Sequence, residues 1–338
     1  MSKIRYISYM QAIAIVLVVM GHSLYMFPDG AHGYDTLLCR MIYSFHMPLF
    51  MFVSGFLIQF SFDRGSETVS DSRRFITARA RRLLLPYAVL TLVTFVPRAA
   101  MGLMAEDQVP LSIHGLIAGM FERESLIIPY LWFVQALFTI SVAVFLAVRW
   151  ARRWGLKPWI APAAMMVLFA VLRVFGMPSF FSIDYAVKLG VYFVTGCLYC
   201  LYAYRIDRLI RWDSITVGLF LSVLWAASFF AFEGTVFFDI TGMCGIAMCM
   251  ALARLMDRAG IRVLDHLEGA TYIIFLLSWY FNVGAQQILS HWVEWPWWVH
   301  SLLSLVAGVY VPWVIYRLML RHPNSRLVRM LRVLLGQM

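Results

Sequence analysis

The chain has 338 residues, 62% of them hydrophobic and only 14% charged, with a formal charge of +10 at neutral pH. A soluble globular domain is not built from such a composition. The positive charge argues against a nucleic-acid partner as well, because the basic residues fall in small clusters between apolar runs, which is the pattern of membrane topology.

A bilayer core about 30 Å thick takes roughly 20 apolar residues per helix. On that criterion the sequence predicts an all-α integral membrane protein, a bundle of about ten transmembrane helices near residues 5–27, 40–61, 83–104, 129–149, 159–176, 185–204, 214–232, 238–256, 270–290 and 297–319. The first stretch, Tyr6 to Phe27 behind Lys3 and Arg5, is too long for a signal-peptide core and lacks a small-residue cleavage site, so it reads as a retained helix. Alternate connections carry 23 of the 28 Lys and Arg residues, whereas Arg40, Arg98, Arg123, Arg173 and Lys188 fall on or near the other side. The positive-inside rule then puts both termini in the cytoplasm.

The longest outer connection, about 105–128, carries Glu106, Asp107, Glu122 and Glu124 and has the length to form part of a lid or substrate rim. Residues 1–320 form one transmembrane domain on this reading, and 321–338 a basic amphipathic cytoplasmic tail. In that tail Leu327, Met330, Leu331, Leu334 and Leu335 recur at helical spacing between Arg326, Arg329 and Arg332, the pattern of a helix lying on the inner membrane surface. Five cysteines imply no disulfide framework, and the C-x-x-C of Cys197 and Cys200, without a βαβ context, reads as small packing residues.

Polar side chains in membrane helices are expensive, so each is a functional candidate. His22 follows Gly21 about five residues inside the outer end of the first stretch, roughly 8 Å deep at the rise of an α-helix; the plain reading is an interfacial histidine with one hydrogen bond. His46 lies at similar depth on the next stretch, two residues before Pro48, which removes a backbone donor and is expected to free the carbonyl of Ser44 and kink the helix. Zinc is the rival use of two histidines, but no third ligand stands at a telling spacing, and no metal is expected. Arg79 and Arg82, three apart where basic residues meet the inner end of the third stretch, share a helix face and have the geometry to clamp a phosphate; topology alone also calls for arginines there. Trp132 offers a stacking surface for a sugar or a base, although a boundary tryptophan is more often an anchor, and Trp292, Trp295, Trp297 and Trp298 read as an aromatic belt. Arg173 and Lys188 snorkel. Arg40, one and a half turns before His46, is placed to orient an anionic acceptor or to pair with an acidic loop.

Several of these segments together resemble one family. The run from Ala12 to Ser23 (AIAIVLVVMGHS) looks like the first helix of acyltransferase family 3, the membrane O-acyltransferases that modify sugars. Phe45 to Gly55 (FHMPLFMFVSG) resembles its second helix, Phe75 to Tyr87 (FITARARRLLLPY) its third, and Leu131, Trp132 and Phe133 a later one, in the family's order and spacing. The resemblance implies transfer of an acyl group, acetyl by default, from cytoplasmic acyl-coenzyme A to a hydroxyl of a surface or lipid-linked saccharide by a multi-pass protein of the bacterial inner membrane. His22 would be the general base or a transient acyl carrier, with His46 assisting, and Arg79 and Arg82 would hold the donor phosphates. The arginines near the inner face and the histidines near the outer one then require either deep entry of the donor's thiol arm or a relay of the acyl group. Many members have an arginine in the middle of the first helix and an acidic residue just before it; here Gln11 and Ser8 stand there, and Ser278 ends a run from Tyr272 in which many members have a histidine.

Two other classes remain open from the sequence: a transporter or flippase of a glycan or lipid-linked intermediate, and a scaffold subunit in which the motifs outlive catalysis. A transporter is expected to show corresponding broken helices in two halves, and no such repeat is visible. The oligomeric state is not legible.

Overall fold

The computed structural model describes residues 4–24, 36–65, 71–101, 110–292 and 295–337. Lys3, Glu106 and Asp107, and the predicted continuation of the first helix to Phe27, lie outside the described residues. Among the described residues all regular structure is helical, apart from one isolated antiparallel bridge between Glu122 and Phe180. The α-helices are α1 (Arg5–Ser23), α2 (Leu37–Tyr43), α3 (His46–Asp63), α4 (Ser72–Met101), α5 (Ile113–Phe121), α6 (Trp132–Arg153), α7 (Ile160–Phe175), α8 (Ile183–Leu209), α9 (Ile215–Phe232), α10 (Phe238–Arg258), α11 (Thr271–Trp292), α12 (Trp297–Arg321) and α13 (Arg326–Leu334).

Each of the ten apolar stretches is helical, and eight segments, with α2 and α3 counted as one, are long and apolar enough to cross a bilayer. The two that fall short do so for different reasons. Helix α7, with 16 residues, is about 24 Å long against a core of about 30 Å. Helix α11 is long enough at 22 residues but gives apolar positions to Asn282, Gln286 and Gln287.

The chain divides into two compact units. The first comprises Met1–Val53 and Ala203–Pro323. Within it α1 packs against α2, α10, α11 and α12, while α9 pairs with α10 and α11 with α12. The break between α2 and α3 falls at Ser44 and Phe45, not at Pro48, which occupies the first turn of α3 where a missing backbone donor is tolerated. Trp225 donates to the Ser44 hydroxyl at 3.2 Å, and the Phe45 ring packs edge-on against Trp225 at 5.1 Å in a gap that exists because residue 245 is glycine. Arg254 joins Asp207 at 2.6 Å and covers the Tyr6 ring at 4.0 Å.

The second unit comprises Ser54–Tyr202 and Asn324–Met338. Asp71 caps α4 by accepting from the amides of Arg73 and Arg74, so the helix begins eleven residues before the predicted apolar stretch and carries Arg79 and Arg82 within its own turns. Phe75 of α4 stacks on Phe145 of α6 with ring centroids 3.8 Å apart. Gly55 lets α3 touch the backbone of Phe193, and the Cys197 thiol, 3.3 Å from the Gly55 carbonyl, has the packing role expected of it. The tail forms α13, with Leu327, Met330 and Val333 exposed, and Gly336 beyond it adopts positive φ directly against the Arg82 carbonyl and Pro86.

Candidate active site

Helix α1 of the first unit ends one residue after His22, which therefore stands in the last turn instead of five residues inside it. The last four carbonyls of a helix have no intrahelical partner, and here other groups take them. Leu24 N–H and the Ser23 hydroxyl donate to Met20, the Cys39 thiol reaches Gly21 at 3.9 Å, and Gln286 Nε2 donates to both His22 (3.3 Å) and Ser23 (3.0 Å). One turn earlier on α11, Asn282 donates to the Val19 carbonyl at 3.0 Å and accepts from Ser304 of α12 at 2.7 Å. This approach requires Gly308, because a Cβ there would stand 2.7 Å from Val19 Cγ1.

His46 is 3% exposed, and its Nδ1 lies 2.8 Å from the Ile42 carbonyl. A carbonyl only accepts, so Nδ1 carries the proton and the neutral ring keeps its lone pair on Nε2. The imidazole thus takes an acceptor that the helix break left for it. Tyr43 packs between their segments: its ring meets the edge of His46 at 4.7 Å and lies over Gly21, the neighbour of His22, where a Cβ would come within 2.7 Å of Tyr43 Cε2. The turn that bears His22 and the ring of His46 thus meet at one tyrosine. The structure therefore brings together the two histidines singled out in the sequence. Arg40 of α2 pairs with Glu233, in the turn after α9, at 3.1 Å.

At the start of α1 the first unit holds a cavity of about 620 Å³ lined by Arg5, Ser8, Tyr9, Asp257, Asp265 and Glu268 among others. Its groups are mutually engaged: Arg5 pairs with Asp257 at 3.2 Å, Ser8 donates to Glu268 at 3.2 Å, and Tyr9 donates to the Ile261 carbonyl at 3.0 Å.

In the second unit, Arg79 is half-buried with its guanidinium 5.6 Å over Phe75, and Arg82, one turn on, is exposed. A buried polar cluster supports their helix further along. Gln135 of α6 donates to the Tyr87 hydroxyl (3.0 Å) and the Met120 carbonyl (2.8 Å), Tyr87 donates to the same carbonyl (2.6 Å), and the Ser182 hydroxyl donates to Gln135 Oε1 (2.6 Å). Trp132 opens α6 with its ring 4.4 Å from Tyr185, over which Arg123 stands at 4.9 Å and Lys188 at 5.7 Å. Among the described residues no three His, Cys, Asp or Glu side chains are grouped to hold a metal ion.

The family model described as acyltransferase domain, Acyl_transf_3, matches residues 4–317, nearly the whole chain. The chain belongs to that family. With its apolar helices it is a membrane acyltransferase, and the resemblance read from the His22, His46, Arg79 and Trp132 segments is the correct one. No curated protein and no solved structure matches the chain. Sequence reasoning passed over the buried carboxamides of this acyltransferase, among them Asn282, Gln286 and Gln135. For the first two a signal was present: amides four residues apart in an apolar helix share one face and need partners on it.

Proposed function

We propose that this membrane acyltransferase moves an acetyl group from cytoplasmic acetyl-coenzyme A to a hydroxyl of a surface or lipid-linked saccharide, with His22 as general base and His46 assisting. The carrying observation is the packing of Tyr43 against the His46 ring and over Gly21, the neighbour of His22, at a helix end whose carbonyls are tied by neutral donors. Neutral imidazole suits the task near pH 7. It takes the acceptor's O–H proton as that oxygen attacks the thioester carbonyl; the C–O bond forms, the C–S bond breaks, and coenzyme A leaves as the thiolate, which the imidazolium reprotonates. Arg79 and Arg82 hold the donor's phosphates, a task suited to guanidinium forks on one helix face. Trp132 and Arg40 contact the acceptor in this proposal. Ten spans, both termini in the cytoplasm and residence in a bacterial inner membrane complete it, supported by the alternation of Lys and Arg along the chain.

The test supplies membranes carrying wild-type chain or His22→Ala with acetyl-labelled coenzyme A and follows alkali-labile label in the glycan fraction. Label that depends on His22 is expected. Equal label in both samples would overturn the role of His22, and no label from any acyl-coenzyme A donor would overturn the reaction.

A further inference from the structure

We propose that Gln286 is the positioning residue that sets His22 for proton transfer. The inference rests on the reading of His22 as the base. An amide side chain is often ambiguous in its orientation, since oxygen and nitrogen look alike. Here the surroundings decide: the carbonyls of His22 and Ser23 only accept, so the Gln286 nitrogen must face both, at 3.3 and 3.0 Å. The oxygen is thereby turned the other way, where it is buried and has no hydrogen-bond partner among the described residues.

This arrangement differs from ordinary helix capping. A helix end needs only some donor, and Ser23, Leu24 and Cys39 supply local ones for Met20 and Gly21. For His22 and Ser23 the donor comes from a helix more than 260 positions away in sequence, from a side chain 4% exposed that leaves its own acceptor unanswered. Asn282, one turn before it, makes the parallel contact to Val19 but has its oxygen satisfied by Ser304. Of the two amides that grip α1, only Gln286 reaches the residue that bears the base. An unanswered acceptor is retained where the same group does something a leucine would not, and here that is fixing the backbone of His22, hence the origin of its χ1 rotation and the distance of its ring from an incoming hydroxyl.

The test uses the full chain in membranes or detergent, with acetyl-coenzyme A as donor. Gln286→Met keeps the volume and removes the donor; Gln286→Glu keeps the shape and, ionised, turns oxygen toward oxygen; Gln286→Asn keeps a donor on a shorter arm. We expect kcat to fall about 10²-fold in the Met and Glu variants, the scale of a misplaced catalytic group, with less loss in Asn. The KM for acetyl-coenzyme A stays within about twofold, and carbethoxylation of His22, followed by mass spectrometry with His322 as internal reference, changes rate. Thermal stability of the Met variant falls modestly, because two carbonyls lose their donor, so it is the His22 reactivity that separates positioning from mere structural support. Wild-type kcat in the Met and Glu variants, or a fall in kcat matched by loss of thermal stability with His22 reactivity unchanged, would overturn the proposal. If His22→Ala itself leaves transfer intact, it is the reading of the base that fails; if His22→Ala is inactive and Gln286→Met is not, only the role of Gln286 fails.

Discussion

The histidine-bearing end of α1 and the arginine-bearing turns of α4 solve opposite problems. The His46 ring meets a neutral carbonyl, the backbone carbonyls of Gly21, His22 and Ser23 take a thiol and a carboxamide, and the two side chains are buried or half-buried. Arg79 and Arg82 are permanently charged, and the Arg79 guanidinium stands over the face of Phe75. The difference follows from the tasks. A base that must change charge is best kept apart from fixed charges, whereas a cation that must meet phosphate has to keep enough hydration to avoid a large desolvation penalty before the ligand arrives. Proton chemistry is thus legible as geometry, and anion binding as exposure.

The sharpest way to break this contrast is to remove one imidazole. His22→Ala is expected to lower transfer by about 10²- to 10⁴-fold, the usual contribution of a general base, with protein level unchanged on immunoblots of the membrane fraction. A smaller effect is expected at the other region. Arg79→Lys and Arg82→Lys keep the charge but lose the fork, and each should raise the KM for acetyl-coenzyme A by about tenfold, a loss of about 1.4 kcal/mol of binding, while kcat changes little.

These two regions were legible in the sequence to different depths. His22, His46, Arg79 and Arg82 stood out because charged or ionisable residues break an apolar run, and the ten helical stretches stood out by length. What escaped was whatever depends on a distant partner. The helix break was expected at Pro48 and lies at Ser44 and Phe45, because Trp225 and the gap at Gly245, both some 200 positions away, hold those residues. Likewise the carbonyls of His22 and Ser23, in the last turn of α1, find their donor in Gln286, more than 260 positions away. The departure at Ser8 is explained locally, since its hydroxyl donates to Glu268 in the wall of the acidic cavity. Nothing in the structure explains Gln11.

Two weaker tests sharpen the comparison on the structural side. Gln135→Met leaves the buried Ser182 hydroxyl without its acceptor and Tyr87 without its donor, and should destabilise the second unit by about 1–3 kcal/mol, read as a lower midpoint of thermal unfolding in detergent. Arg40→Gln removes a half-exposed ion pair with Glu233 and should change stability by no more than about 1 kcal/mol. If Arg40 contacts the acceptor, as proposed, the KM for the acceptor rises in that variant with the donor KM unchanged.

The most direct test of the central claim is the rate of acetyl transfer measured from pH 5 to pH 8 for wild type and His22→Ala in parallel. Wild type should transfer acetyl across the range, while His22→Ala should be at least about 10²-fold slower at every pH. A variant that keeps the wild-type rate across this range would contradict the assignment of His22 as the base.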